Sequence, residues 1–581
     1  MKEKLPIIMV AQRPEDSKTN ISSGRVVFLE PFTEKLRNNI FSQCEEIKKN
    51  IGKIEEKEIP CIGKVVMKEK AIAKTHKPNN LFNDNTCPMV GGGKLNEIYV
   101  KITPEGINNL EKEIKNTRAQ NKQAEMTKIE KIEMYTSEDV LKINLKKIEG
   151  PLKIKLFDYK DDKQNEKNKE IFLKKIKELG IDNRISKLYS YKTMEVYSLK
   201  CNDINKIKQL SNYQGIKSID MFQKYSMSNP KIKKLEKMDY SFPKPIEGRE
   251  YPIVGLIDSG ISENNKEILP WIYKKEELIP KEYQNNSHAT FIAGVMLFGE
   301  KLNFDIADVR EPNFKILDVV AIPNADEEYG PTDEMTEDVF LEGLENIMKK
   351  YSDKVKVWNL SLGTNTEVGD VISDFAIELD RIQDEYQVQI FIAAGNFEEA
   401  IRKWPTDILY NDRITTPADS VRGITVGSIA LDKGAVDINE PSPFSRIGPG
   451  ANYINKPDVV DYGGNINEDG SISGCGIVSF DTEGNYIEGV GTSYSTPFVT
   501  IKYQNIIDTI NNENSLELSK ALLIHSCVNP ITKGQEIGNE EAKYFGFGIP
   551  EKDLDEVLKC DNSKVTIIIQ GKIRTRRTHR N

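Results

Sequence analysis

Four histidines occur in the 581 residues, at positions 76, 288, 525 and 579, and a serine nucleophile working near neutral pH needs one such imidazole as its base. His76 sits in a Lys- and Asn-rich stretch and His579 in a basic tail, whereas His288 opens the apolar segment HATFIAGV, where Ala293 and Gly294 permit close helix packing. Taken singly, a histidine at a helix start is usually a cap or a surface residue. In PIVGLIDSGI an apolar strand ends in Asp258, at the strand edge where α/β sites gather, although a strand-terminal aspartate is often just a turn residue. In GVGTSYSTPFVT, Ser493 follows Gly489, Gly491 and Thr492 and opens an apolar segment with Pro497 close inside it, which puts the hydroxyl on the first turn of a helix. Free amides and the helix dipole there favour an adjacent oxyanion. Glycine-rich turns are common, so this segment too is weak by itself. As a set, the three residue types could carry acyl transfer: serine attacks, histidine takes its proton, and the carboxylate fixes the tautomer and stabilises the imidazolium.

Together these segments resemble the subtilisin-like serine proteases (peptidase family S8), in which the order Asp, His, Ser separates the class from chymotrypsin-like and α/β-hydrolase enzymes. The resemblance extends over about 250 to 560, through TTPADSVRGITVGSIA, SPFSRIGPG and KPDVVDYGG. It implies a catalytic triad of Asp258, His288 and Ser493. It also implies that VWNLSLGT lines the substrate channel, with Ser361, Leu362 and Gly363 flanking the residue before the scissile bond, and that FIAAGN supplies Asn396 to the oxyanion hole. The chain departs from the family pattern at His288-Ala289-Thr290, where glycine usually follows histidine, and at Ser493-Tyr494-Ser495 in place of Ser-Met-Ala. The Ala289 methyl is expected to crowd the helix carrying His288. Overall the chain is most similar to a divergent intracellular bacterial branch, some members of which sit beside an AAA-type ATPase in defence pairs. That implies a protein or peptide substrate and an ATPase partner, with no cofactor and no required metal. The competing reading is a protease fold kept as an inactive binding scaffold.

The elements that must position these residues follow from the pattern. Apolar runs at 253–257, 316–322, 355–360 and 390–394, separated by amphipathic segments, predict an α/β domain with a subtilisin-like parallel sheet and helices on both faces over 251–560. Before it, Leu152, Ile154 and Leu156 alternate with lysines, Phe172, Ile176 and Leu179 mark one face of a helix stopped by Gly180, and two strands, a helix on Ile204, Ile207 and Leu210, and a last strand follow. This β-α-β-β-α-β order over about 152–223 predicts a ferredoxin-like, propeptide-like part of an α+β domain at 98–225. Thr103 and Pro104 are expected to cap and open a charged helix near its start. Residues 1–97 are poorly readable, and 226–250 reads as a polar linker. The Gly91–Lys94 run does not make a phosphate loop, because Pro88 replaces its first glycine and Leu95 its Ser or Thr. No internal repeat is evident. In the tail at 561–581, an apolar strand at 565–569 lacks an obvious partner, which suggests a truncated β domain.

Length and composition bound the rest. A chain of 581 residues calls for two or three domains. With 38% hydrophobic and 29% charged residues and a net charge of −9, it reads as a soluble, mildly acidic protein without a nucleic-acid footprint. Its basic tail, and N-terminal lysines interleaved with glutamates, are solvated faces. The apolar run near the first residues is far too short for a signal h-region, and no apolar stretch of spanning length is expected elsewhere. Seven scattered cysteines without CxxC spacing read as reduced thiols and a cytoplasmic location.

Overall fold

The computed structural model describes residues 26–551, apart from 53–57, 73–76, 192–193, 227–231, 237–239, 305–310, 365, 511–515 and 533–534, together with strands at 7–10 and 567–570. The chain forms two compact units. One comprises 25–225 with 335–344, and the other comprises 1–24, 226–334 and 345–581.

The first unit contains two four-stranded antiparallel sheets. In the second of them, β5 (Leu152–Leu156), α3 (Asp162–Glu178), β6 (Ile185–Tyr191), β7 (Met194–Leu199), α4 (Ile204–Ser211) and β8 (Ile216–Met221) follow the order expected from the sequence. The strands lie β6-β7-β5-β8. Asp161 caps α3 by accepting from the Gln164 N–H, Asp203 caps α4, and Gly180 takes a φ of +64° after α3. Phe172, Ile176, Ile207 and Leu210 are buried against Ile154 and Ile219. Ile204, on the first turn of α4, stays exposed.

The sheet before it comprises β1 (Cys61–Met67), β2 (Met89–Gly92), β3 (Glu97–Ile102) and β4 (Ile129–Met134), preceded by α1 (Glu34–Ile51) and interrupted by α2 (Pro104–Asn116). Its strand order, β2-β3-β1-β4, repeats that of the second sheet. The repeat is invisible in sequence because α1 lies before β1, whereas α3 lies between β5 and β6. Ile40, Cys44 and Ile47 of α1 share a core with Ile107, Leu110 and Ile114 of α2. Thr103 caps α2 by accepting from the Gly106 N–H at 2.9 Å, with Pro104 in the first turn. The Gly91–Lys94 run lies at the β2–β3 turn, and the division expected at residue 97 falls inside this sheet.

The second unit is built on a seven-stranded parallel sheet. Its strands are β10 (Ile253–Asp258), β11 (Ile272–Glu277), β12 (Lys315–Val320), β13 (Val355–Leu360), β14 (Gln389–Ala393), β15 (Ile424–Ile429) and β16 (Val459–Tyr462), ordered β11-β12-β10-β13-β14-β15-β16. β10 is therefore the point from which the chain builds outward both ways, and open α/β sheets place their ligand crevice at the C-terminal ends of strands there. Helices α5 (Ser287–Asn303) and, after α6 (Glu337–Tyr351) and α7 (Asp374–Tyr386), α8 (Thr492–Ile510) follow in the chain, and α5 and α8 pack on the sheet through a core holding Phe291, Val295, Phe498 and Val499 with Val357, Phe391, Val426 and Val459.

The stretch read as a linker carries structure of its own. Residues Ile232–Lys234 form β9, antiparallel to β18 (Tyr486–Gly489), which is paired in turn with β17 (Ile477–Phe480). Phe242 is buried, its ring 4.5 Å from Phe298 and 5.4 Å from Phe480. The strand expected near 565–569 lies at 567–570 and pairs in parallel with 7–10, so its partner comes from the other end of the sequence. The remainder of the tail, 571–581, lies outside the described residues. Among the described residues no helix is long and apolar enough to cross a membrane.

Candidate active site

Asp258 is the last residue of β10 and is fully buried. Its Oδ1 accepts from the Ser259 N–H at 2.7 Å, which fixes the carboxylate at the strand end. His288 stands on the first turn of α5, 4% exposed, with Nδ1 2.9 and 3.0 Å from the two Asp258 oxygens. This contact puts the ring proton on Nδ1 and leaves Nε2 as the basic nitrogen. α5 can lie this close to the β17–β18 hairpin because residue 294 is glycine: a Cβ there would fall 2.2 Å from Ser479 Oγ. Ala289, the departure expected to crowd this helix, is taken into the core.

Ser493 lies on the first turn of α8. Its Oγ donates to the Ser361 carbonyl at 3.3 Å, while Ser361 Oγ donates to the Ser493 carbonyl at 3.0 Å and itself accepts from Asn359 Nδ2 at 2.8 Å. Ser361 directly follows β13, so the nucleophile segment is tied to the strand neighbouring β10. The next residue, Tyr494, is fully buried, with its ring stacked on Phe291 at 4.0 Å and 5.9 Å from the His288 ring. The Ser493 turn therefore lies beside His288, with the Ser493 hydroxyl bonded to the Ser361 carbonyl and not to the imidazole.

Asn396 follows Gly395, whose φ is +99°. Its Oδ1 accepts from the Thr492 N–H at 3.0 Å and the Thr492 hydroxyl at 3.1 Å, which fixes the side-chain amide beside the nucleophile turn. Arg446 Nε donates to the Asn396 carbonyl at 2.9 Å, and Arg446 Nη1 reaches Glu367 at 2.8 Å. Of the residues expected to line a substrate channel, Leu362 is buried and Gly363 is exposed.

The sequence matches the subtilase family over residues 250–548. The chain belongs to the subtilase family. A curated relative, the uncharacterized protein y4bN of Sinorhizobium fredii, is 30% identical over 260 residues, 38% of this chain and 59% of that protein. The chain thus spans about three fifths of that relative's length. Two solved subtilase-like structures are 16% identical. The epidermin leader peptide processing serine protease of Staphylococcus aureus matches 72% of this chain and all of its own, with a TM-score of 0.44. The prenylagaramide maturation protease matches 53% of this chain and 93% of its own, with a TM-score of 0.37.

Two residues beside this site, Asp318 and Arg446, are not among those the sequence predicts. Asp318 of β12 is buried, its Oδ2 accepting from the Ile261 N–H at 2.9 Å and 3.9 Å from Lys275, while its Oδ1 has no hydrogen-bond partner among the described residues. Burial pushes its carboxyl up to about 7, with the Asp258 charge adding to the rise. The signal was an aspartate inside the otherwise apolar run KILDVV. Arg446 falls in SPFSRIGPG, and nothing in its sequence context announces that it donates to the Asn396 carbonyl.

Proposed function

We propose that this chain is a serine endopeptidase that cleaves peptide bonds through an acyl-enzyme. The observation that carries the reading is the buried Asp258–His288 contact at the switch point of the sheet, beside a serine on the first turn of a helix. His288 Nε2 takes the Ser493 proton as Oγ leaves the Ser361 carbonyl and attacks the substrate carbonyl. Asp258 holds the imidazolium through Nδ1–H. Asn396 Nδ2 and the Ser493 backbone N–H receive the oxyanion, in a site whose donors are already held by Thr492 and Arg446. The imidazolium then protonates the leaving amine, and water, activated by the same histidine, releases the acyl group.

A fluorophosphonate probe that labels Ser493, together with protein cleavage lost in Ser493→Ala, is the expected result. The loss should be on the order of 10⁶-fold, the scale carried over from the subtilisin triad. Absence of labelling on correctly folded protein would sink the reading in favour of an inactive scaffold.

We place its action in the cytoplasm, a reading supported by six described cysteines that are all free thiols. Burial pushes Cys44 and Cys527 up to about 12. Control by an AAA-type ATPase in a bacterial defence pair is proposed on the sequence resemblance, together with the need to restrain an endopeptidase in that compartment.

A further inference from the structure

Away from the nucleophile, α5 and α8 together with the end of β16 line a pocket of about 450 Å³, all of it within the second unit. Pockets that take small molecules run roughly 300–1,000 Å³. On α5 the lining begins at Val295, seven residues past His288, and on α8 it begins at Phe498, five past Ser493. At the rise of a helix these positions are about 10 Å and about 8 Å along from the two site residues. The pocket is therefore separate from the place of a substrate carbonyl, yet an occupant touches both helices that hold the site.

The wall is apolar and aromatic. Phe304, which ends α5, meets the rings of Tyr462 at 5.6 Å and Phe498 at 5.9 Å, with the planes at 62° and 66°, and all three residues line the pocket. Aromatic rings gathered on one apolar wall attract a cation through their quadrupoles, and such groups receive ammonium heads.

The charged groups favour the same ligand. Lys502 is the one base among the described lining residues, and its ammonium already donates to Asp461 Oδ2 at 2.6 Å and to the Pro550 carbonyl at 2.9 Å. Three carboxylates stand against it, those of Glu300, Asp461 and Glu551. Burial pushes the Asp461 carboxyl up, Lys502 opposes the rise, and the nearby Glu300 charge adds to it. Glu551 is exposed. An anionic ligand would meet this excess of negative charge, and a neutral one would gain nothing from it.

We propose that this pocket binds an amphipathic cation, an ammonium group carried on a hydrocarbon body. The rings and Glu551 receive the charge, and aliphatic residues such as Val295 and Ile501 take the tail.

The test titrates the full chain calorimetrically with octyltrimethylammonium, octanol and octanoate, each below any micelle concentration. The three probes share a tail and differ in the charge of the head. Octyltrimethylammonium should bind about three- to thirtyfold more tightly than octanol, the range of a cation held against aromatic rings, and octanoate should bind more weakly than octanol. Phe304→Leu, which keeps an apolar wall without the ring, should narrow the gap between octyltrimethylammonium and octanol and leave octanol binding nearly as it was. Glu551→Gln, a change at an exposed position, should narrow the same gap. A damaged fold would lose octanol together with the cation, so the ratio of the two reports the site, and if Phe304→Leu loses both, Glu551→Gln decides. No binding of octyltrimethylammonium to the wild type, binding of octanol or octanoate as tight as that of the cation, or a gap unmoved in a variant that still binds octanol overturns the proposal.

Discussion

At the scale of single residues, the site mixes groups held by several hydrogen bonds with groups left wanting. Asn396 belongs to the first kind, with its backbone carbonyl and side-chain oxygen both engaged, so in the proposed oxyanion role it would need little reorganisation. Asp318 belongs to the second. Lys275 and the Ile261 N–H favour its charge, burial and the charges of Asp258 and Glu277 oppose it, and burial dominates. Its folded-state carboxyl titrates near 7 against about 4 in an unfolded chain. The folded protein therefore binds that proton more tightly, and this residue's contribution to stability is fully present below pH 4 and is lost as pH rises to about 7. Asp318→Asn, which keeps an acceptor for Ile261 and carries no charge, should then unfold at higher urea than the wild type at pH 8. Its advantage should shrink toward zero at pH 4. An advantage that does not change with pH would show that ionisation of Asp318 is not what costs the wild type stability.

At the scale of elements, legibility followed burial pattern. β10, β12, β13 and β14 were plain as apolar runs because parallel strands are covered on both faces, and α3 and α4 were plain because their apolar faces and caps sit at helical spacing. β9 was illegible: its three residues are exposed, and what holds it is pairing with β18, including Lys233 opposite the buried Glu488, 3.7 Å from its carboxylate. Phe242 was hidden among lysines and prolines, although it joins the main core. The hydrogen bonds that join Asn396, Thr492, Ser361 and Ser493 connect residues roughly 100 positions or more apart, and spacing along the chain cannot reveal them. The chemistry-bearing residues were readable from their local segments, and their mutual support was not. These findings bear on where a catalytic fragment should start. A chain starting at residue 249 discards both β9 and Phe242, whereas one starting at 226 keeps them. Burying a phenylalanine side chain is worth roughly 1.5–3 kcal/mol, so the shorter chain should unfold at clearly lower urea. Equal midpoints would mean that neither Phe242 nor β9 contributes to the catalytic unit's stability.

At the scale of the whole molecule, the chain carries a compact α+β unit, 25–225 with 335–344, most of which precedes the subtilase match. Its second sheet has the ferredoxin-like strand order, and, resting on the endopeptidase reading, we propose that the unit serves as an intramolecular inhibitor or folding aid. The covalent connection supports this economically. Only residues 226–231 separate the end of that unit from β9, and a short tether holds its ends at an effective concentration on the order of millimolar. Weak intrinsic affinity would then suffice to block the substrate channel, and the same weakness would allow a partner to relieve the block. Separation of the two units should expose that balance. A chain starting at residue 226 should hydrolyse small peptides faster than the full chain, and adding the separately made 25–225 fragment should lower that rate with a midpoint well above the protein concentration in the assay. The full chain should not respond to the fragment, because its own unit already competes. Equal rates for the two chains, with neither inhibition by the fragment nor any gain in the yield of folded enzyme, would assign the α+β unit to recruitment of substrate or partner instead.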